Sequence, residues 1–258
     1  MKIIQYAILS LLSLVIIISC GNSKDKVEEP IVNNELTKHE VTDGWKLLFD
    51  GKSFDGWRGI GIEGVPEGHW EIENGTIRKI ASGDVPTIAD GQPLKGGDLI
   101  SNETYKNFEL KFEWKISTKG NSGVKYNVDE QYSIDNGSTS ALGYEYQVLD
   151  DEVHPDNGNP THRASSLYDL IEAKNKNLKP VGEFNGARIV YKDNHIEHWL
   201  NGKKVIETDT DTQEFDSLFQ KSKYHKHEKF NVHKDAHVIL QDHNDDCWYR
   251  NIKIKVLD

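Results

Sequence analysis

FELKFEWKI, residues Phe108–Ile116, alternates without a break: Phe108, Leu110, Phe112, Trp114 and Ile116 against Glu109, Lys111, Glu113 and Lys115. A period of two puts the apolar side chains on one face and the charges on the other. That is the pattern of a half-buried antiparallel strand with one wet face.

The same signal recurs in short runs on either side. Upstream, WKLLFDGKSFDGW gives a short strand, an Asp50-Gly51 turn and a second aromatic anchor at Trp57; HWEIENGTIRKI reads as a hairpin turning at Asn74-Gly75. Downstream, GNSG leads into VKYNV, a loop is expected over Asp129–Leu142, and GYEYQVLDD (Gly143–Asp151) alternates again as the expected central strand. GEFNGARIVYKDNHIEHWLNGKKVIET predicts three strands joined by tight turns at Asp193-Asn194 and Asn201-Gly202, and HVILQDH and CWYRNIKIKV close the chain. One helix is expected, over Asp211–Ser222, from the spacing of Phe215, Leu218 and Phe219. About a dozen short strands with almost no helix predict an all-β fold, a jelly-roll β-sandwich of two antiparallel sheets spanning residues 41–258.

The N-terminus has a different character. Met1–Ser19 carries Lys2 and an apolar run from Ala7 to Ile18, too short for a spanning helix and consistent with a secretory signal. Ile17-Ile18-Ser19-Cys20 resembles a bacterial lipobox, which makes Cys20 the expected lipidation site. Residues 20–40 are polar and aperiodic, the expected flexible tether. The chain is thus expected on the bacterial cell envelope, lipid-anchored to the outer membrane on its periplasmic or surface face. With Cys20 lipidated, Cys247 has no partner for an intramolecular disulfide and reads as a small buried apolar residue.

A net charge of −11 and the lack of a basic run with interleaved aromatics argue against nucleic acid as a partner. Six Trp and ten Tyr beside many acids and amides suit a carbohydrate partner, because a ring packs on a sugar's C–H face while polar groups take its hydroxyls.

Chemistry-bearing residues fall into three groups. On GYEYQVLDD, Glu145 and Gln147 project from one face, and a bulge at Asp150 would bring a second carboxylate to that side. The next-to-last strand ends in Gln241, Asp242 and His243. The long loop after Asp151 carries His154, Asp156, His162 and Arg163, with Tyr168 and Asp169 beyond. A concave sheet would bring the first two groups to one cleft walled by the loop. The tight ligand spacings of a zinc enzyme are lacking, and a divalent metal is left open at two places: zinc at His154 and Asp156 with distant partners, or calcium among Asp150, Asp151 and Asp156. The sequence has no HExxH, paired cysteines, GxSxG elbow, P-loop or dinucleotide fingerprint.

From about Trp45 to Val256 the chain resembles the 3-keto-disaccharide hydrolase domain family. The stretches that carry the resemblance are WKLLFDGKSFDGW, FELKFEWKI with GNSGVKY, GYEYQVLDD followed by HPD, SLYDL, GEFNGARIV, NHIEHWLNGKKV and VILQDHNDDCWYRNIKIK. The resemblance implies a concanavalin A-like fold and hydrolysis of sugars oxidised to a ketone at C3. The sequence departs from the family at Asn244, where His-Gly-Asp is expected, and at Phe184, where Trp is usual. Such a ketone acidifies the proton on C2, so a base can start an elimination of the C1 substituent. Glu145 or Asp150 is the expected base, and His243 or Arg163, directly or through a metal, the enolate stabiliser. Gln147 and Gln241 are expected to hold hydroxyls, with His154, Tyr168 and Asp169 lining the substrate cleft. Two other readings stand beside this one: a glycan-binding surface lipoprotein without catalysis, and a conventional jelly-roll endoglucanase. The second leans on Glu145-x-Gln147-x-x-Asp150, which is similar to the Glu-x-Asp-x-x-Glu strand of the jelly-roll β-glucanases.

Overall fold

The computed structural model of the chain describes residues 32–81, 97–137 and 141–258. The expected signal, Cys20 and the first part of the tether lie outside the described residues. There are thirteen described strands: β1 (Trp45–Leu47), β2 (Trp57–Gly59), β3 (Trp70–Glu73), β4 (Thr76–Lys79), β5 (Leu99–Ser101), β6 (Phe108–Ile116), β7 (Asn121–Val128), β8 (Tyr144–Leu149), β9 (Asn185–Lys192), β10 (His195–Leu200), β11 (Lys203–Asp209), β12 (His237–Leu240) and β13 (Cys247–Val256). Three short α-helices accompany them, α1 (Lys38–Thr42), α2 (Glu130–Asp135) and α3 (Gln213–Phe219), with 3-10 turns at Pro155–Gly158 and Pro160–His162. Among the described residues, no helix is long and apolar enough to cross a membrane.

The strands form the expected sandwich of two antiparallel sheets. The larger runs β11-β10-β9-β6-β13-β4-β3, with β1 added to β13; the smaller runs β2-β5-β12-β7-β8. β6 sits near the middle of the larger sheet, and its five apolar residues are at most 3% exposed. Each such burial is worth roughly 2 kcal/mol before entropy is counted. Opposite them lies an aromatic layer from the smaller sheet: Phe112 meets Tyr146 edge-on at 5.4 Å and Phe108 meets Tyr126 at 6.1 Å. The hairpin turns come where the sequence places them. Both central residues have positive φ at Asn74-Gly75, Asp193-Asn194 and Asn201-Gly202, the conformation that matches strand twist in a two-residue loop.

Three expectations need correction. The tether ends earlier than residue 40: Asn34 exchanges backbone and side-chain hydrogen bonds with Asn251, and Thr37 and Glu40 form a capping box on α1. Residues 129–142, expected as loop, contain α2, capped by Asp129. The strand of GYEYQVLDD is the last of its sheet rather than a central one. Its outer edge is covered instead by residues 165–168, through Ser165 N to Gln147 O (2.7 Å) and Tyr168 N to Glu145 O (3.0 Å).

His198 braces that arrangement from the larger sheet. It is fully buried, with Nδ1 3.0 Å from the Ser165 carbonyl and Nε2 2.9 Å from the Tyr126 hydroxyl. Burial pushes its pKa from 6.5 down to about 4. A depressed folded-state value means that the native protein resists the proton. The associated stability is complete above pH 6.5 and is lost as pH falls from there through about 4. That difference corresponds to about 3 kcal/mol. Denaturant titrations between pH 7 and 4 are expected to show this decline, and His198→Gln to flatten it while lowering stability at pH 7. An unchanged slope in the variant would assign the decline to other groups.

Candidate active site

The outer face of the smaller sheet carries a row of buried polar side chains, the groove of the candidate site. On β7, Ser122, Val124 and Tyr126 point to the core, so Asn121, Gly123 and Lys125 point out. β8 pairs with β7 in unbroken register, with Glu145 opposite Lys125, Gln147 opposite Gly123 and Leu149 opposite Asn121. Gln241, just past β12, joins them by donating its backbone N–H to the Gly123 carbonyl (2.8 Å). The exposed, solvated face expected of an ordinary surface strand is not what forms: every residue of β7 and β8 is buried. Gly123 is needed here for space, because a Cβ at that position would lie 2.5 Å from Glu145 Oε1.

The charged centre of the groove is Lys125 between two carboxyls. Its Nζ is 3.9 Å from Glu145 Oε2 and 3.1 Å from the Ala141 carbonyl. The Ala141 N–H in turn donates to Asp98 Oδ2 (3.0 Å), and Asp98 Oδ1 takes the Asp242 N–H (2.8 Å). Burial raises the pKa of Glu145, and the Lys125 charge only partly offsets this; Asp98 is raised for the same reasons. Burial disfavours the charged form of both carboxyls, so Glu145 holds its proton to higher pH than a solvated glutamate does. Arg58 and Glu130 close one end of this face. A bidentate pair at 2.5 and 2.6 Å, with the Gly61 N–H on Glu130 at 2.8 Å, ties α2 and the loop after β2 to the sheet.

The other end lies four residues along β7, roughly 13 Å away at the usual strand rise. There His243 Nε2 is 3.4 Å from Asn121 Nδ2, its ring is 6.5 Å from that of His154, and Asp245 accepts the Asn121 N–H (3.1 Å). Asn244 adopts φ 68°, so the Asn that replaces the expected Gly keeps the left-handed turn. Toward this end Gln147 Nε2, Gln241 Oε1 and Asn121 Oδ1 are all buried and without a hydrogen-bond partner among the described residues. Three unmet polar atoms in one row are costly, at about 1–3 kcal/mol each, and a ligand's hydroxyls would satisfy them.

The long loop forms a wall beside Glu145. Tyr168 stacks on His162 with ring centroids 4.3 Å apart, and Lys223 Nζ lies 4.3 Å from the Tyr168 ring centre. Asp169 holds this wall. Burial opposes its ionisation, but bonds from His162 Nε2 and the Lys223 N–H outweigh that and leave its pKa lowered. Arg163 donates to the Asn157 carbonyl (2.8 Å) and His154 accepts the Asp156 N–H (3.1 Å), so both brace the loop itself.

The structure does not bring Asp150 to Glu145. No bulge interrupts β8, and the alternation carries Asp150 to the opposite side, where it lines a cleft with Trp114, Ile116 and Leu149. Its oxygens accept the N–H groups of Lys119 (2.8 Å) and Glu152 (3.0 Å), which makes it a turn-former. The endoglucanase-like carboxylate pair is therefore not assembled. Among the described residues the three carboxylates of the expected calcium set turn to other partners: Asp151 accepts the Ala164 N–H and pairs with Lys176, and Asp156 lies 4.0 Å from His162. The described His and acid side chains close enough to share an ion are His195, Glu197 and Glu207, which lie on β10 and β11 in the other sheet.

Lys125, Asp98, Lys79 and His69 had not been anticipated. Lys125 was legible only as the lone charge in an otherwise strand-like VKYNV.

The comparisons with known proteins bear on this site. The family of 3-keto-alpha-glucoside-1,2-lyase-like domains matches residues 44–255. The chain belongs to this family. It is 40% identical over 235 residues to the 3-keto-disaccharide hydrolase of Bacteroides thetaiotaomicron, covering 84% of this chain and 79% of that protein. Its expected place among enzymes of the 3-keto-disaccharide hydrolase kind is thereby borne out. Two solved structures from Parabacteroides distasonis, both described as glycosyl hydrolases, are similar. One has a TM-score of 0.75 and 29% identity over 88% of this chain and 100% of its own; the other has 0.60 and 26% over 83% and 99%.

Proposed function

We propose that this enzyme cleaves the glycosidic bond of sugars carrying a ketone at C3, α-glucosides among them, by elimination of the C1 substituent and addition of water. The observation that carries the reading is the buried Lys125–Glu145 pair beside three unmet hydrogen-bonding atoms.

Glu145 takes the C2 proton. Its raised pKa brings it nearer the operating pH, where a general base is most effective. Lys125 lies against the oxygen that becomes negative as the enolate forms, in surroundings where a fixed charge is worth far more than in water. Gln147, Gln241 and Asn121 hold the ring hydroxyls. Return of the electron pair re-forms the ketone, makes the C1=C2 double bond and expels the C1 oxygen. Water then adds at C1 while Glu145 gives its proton back to C2. Glu145 and Lys125 are 3% and 4% exposed, so substrate entry parts the side chains that cover them. The lipobox-like Ile17–Cys20 supports a place on the cell envelope, tethered through lipid on Cys20.

The test uses two matched α-glucosides, one with a C3 hydroxyl and one with a C3 ketone. Only the ketone is expected to be cleaved, with transient absorbance from the unsaturated ketone. Equal cleavage of both would indicate conventional glycoside hydrolysis, and saturable binding without cleavage would favour a lectin-like role.

A further inference from the structure

The proposed elimination needs an acid for the departing oxygen. Glu145 and Lys125 are already used, and Asp150 is turned away. The smaller sheet meets the larger at a second buried cluster, centred on Asp242. Asp242 is 0% exposed. Its Oδ1 is 3.1 Å from Lys79 Nζ, itself 0% exposed, and takes the Asn244 N–H at 2.8 Å. Its Oδ2 is 2.5 Å from His69 Nδ1. A carboxylate on Nδ1 fixes the imidazole tautomer and leaves Nε2 as the working nitrogen. No partner for that nitrogen is present among the described residues. His69 is also the member of the cluster that retains exposed side-chain surface, at 11%.

The cluster adjoins the groove through the backbone. Asp242 lies between Gln241 and His243, both groove residues, and its N–H is held by Asp98, the carboxyl next to Lys125. Gly97, which precedes Asp98, packs directly on the dyad: a Cβ there would fall 1.9 Å from Asp242 Oδ2 and 2.6 Å from His69 Nδ1. A link between two sheets needs only an ion pair, which Lys79 and Asp242 supply. The histidine is not required for it.

We propose that His69, oriented by Asp242, is the acid that protonates the leaving oxygen and then the base that activates water. As the C1–O bond breaks, its electron pair takes the proton from Nε2. The neutral imidazole then removes a proton from the water that attacks C1, which returns His69 to its starting state. This assignment rests on the keto-glycoside reading above.

The test compares His69→Gln with the unaltered chain on two 3-keto-α-glucosides, one releasing 4-nitrophenolate and one releasing methanol or a second sugar. Nitrophenolate departs without protonation. In single-turnover release of the leaving group, a rate that precedes water addition, the variant is therefore expected to lose about 10²-fold or more on the poor leaving group and less than about 10-fold on the good one. Equal losses on both, or no loss on either, would overturn the assignment while leaving the keto-glycoside reading intact. If the unaltered chain cleaves neither substrate, both fall. Should His69→Gln not fold, the unaltered chain still decides. Similar single-turnover release rates on the two substrates, with no isotope effect from deuterium at C2, require an acid at the leaving oxygen, and a steep dependence on leaving-group acidity excludes one.

Discussion

Glu145→Gln is expected to reduce kcat on a 3-keto-glucoside by about 10³-fold, near the middle of the range for removal of a general base. The substitution keeps the shape of the side chain and the clearance over Gly123, so near-ultraviolet circular dichroism and substrate binding should be preserved. The kcat/KM profile supplies an independent check. Because burial raises the Glu145 pKa, its acidic limb should lie above the ordinary carboxylate value of 4.5, with activity falling as pH drops through it. The residual activity of the variant should lack that limb. A variant within about threefold of the unaltered enzyme would remove Glu145 from the chemistry and leave Asp98 as the carboxyl to examine next.

The parts of this site that the sequence revealed are those written in a single strand. Glu145 and Gln147 share a face because β8 has a period of two, and nothing distant alters that. The fate of Asp150 was not legible, since a bulge and an unbroken strand have the same sequence and differ by a flip of one side chain. What chose between them was the pair of backbone N–H groups at Lys119 and Glu152, which the carboxylate satisfies from the core side.

The fold followed the same logic. β6, the three hairpin turns and α3 rest on local periodicity and on residues that tolerate positive φ. α2 was missed because six residues are too few to establish a helical period. The beginning of the fold was misplaced although Thr37-x-x-Glu40 is a capping-box pattern, because the surrounding polarity read as tether. The Asp242 cluster lay furthest out of reach. His69 and Asp242 are 173 residues apart and meet only because β3 and β12 belong to sheets that close on each other. Lysine in a strand is usually wet, so neither Lys79 nor Lys125 announced its burial.

Lys125→Met carries the second large effect, and its two readouts separate charge stabilisation from a structural role. Loss of one preorganised cation at the enolate oxygen should lower kcat by about 10²–10³-fold. The same change removes the charge that partly offsets burial at both Glu145 and Asp98, so both pKa values rise further. The acidic limb of kcat/KM should then move to higher pH in Lys125→Met. Protonation of the two carboxyls softens the penalty of breaking a buried pair, about 3–5 kcal/mol when the remaining charge is kept. Denaturant stability should accordingly fall less at pH 5 than at pH 8, because the neutral carboxyls need no cation. A lysine that merely propped the sheet would, on substitution, lower stability to the same extent at both pH values and leave the limb in place. Only a lysine coupled electrostatically to the base moves the limb, the pH dependence of stability and kcat together.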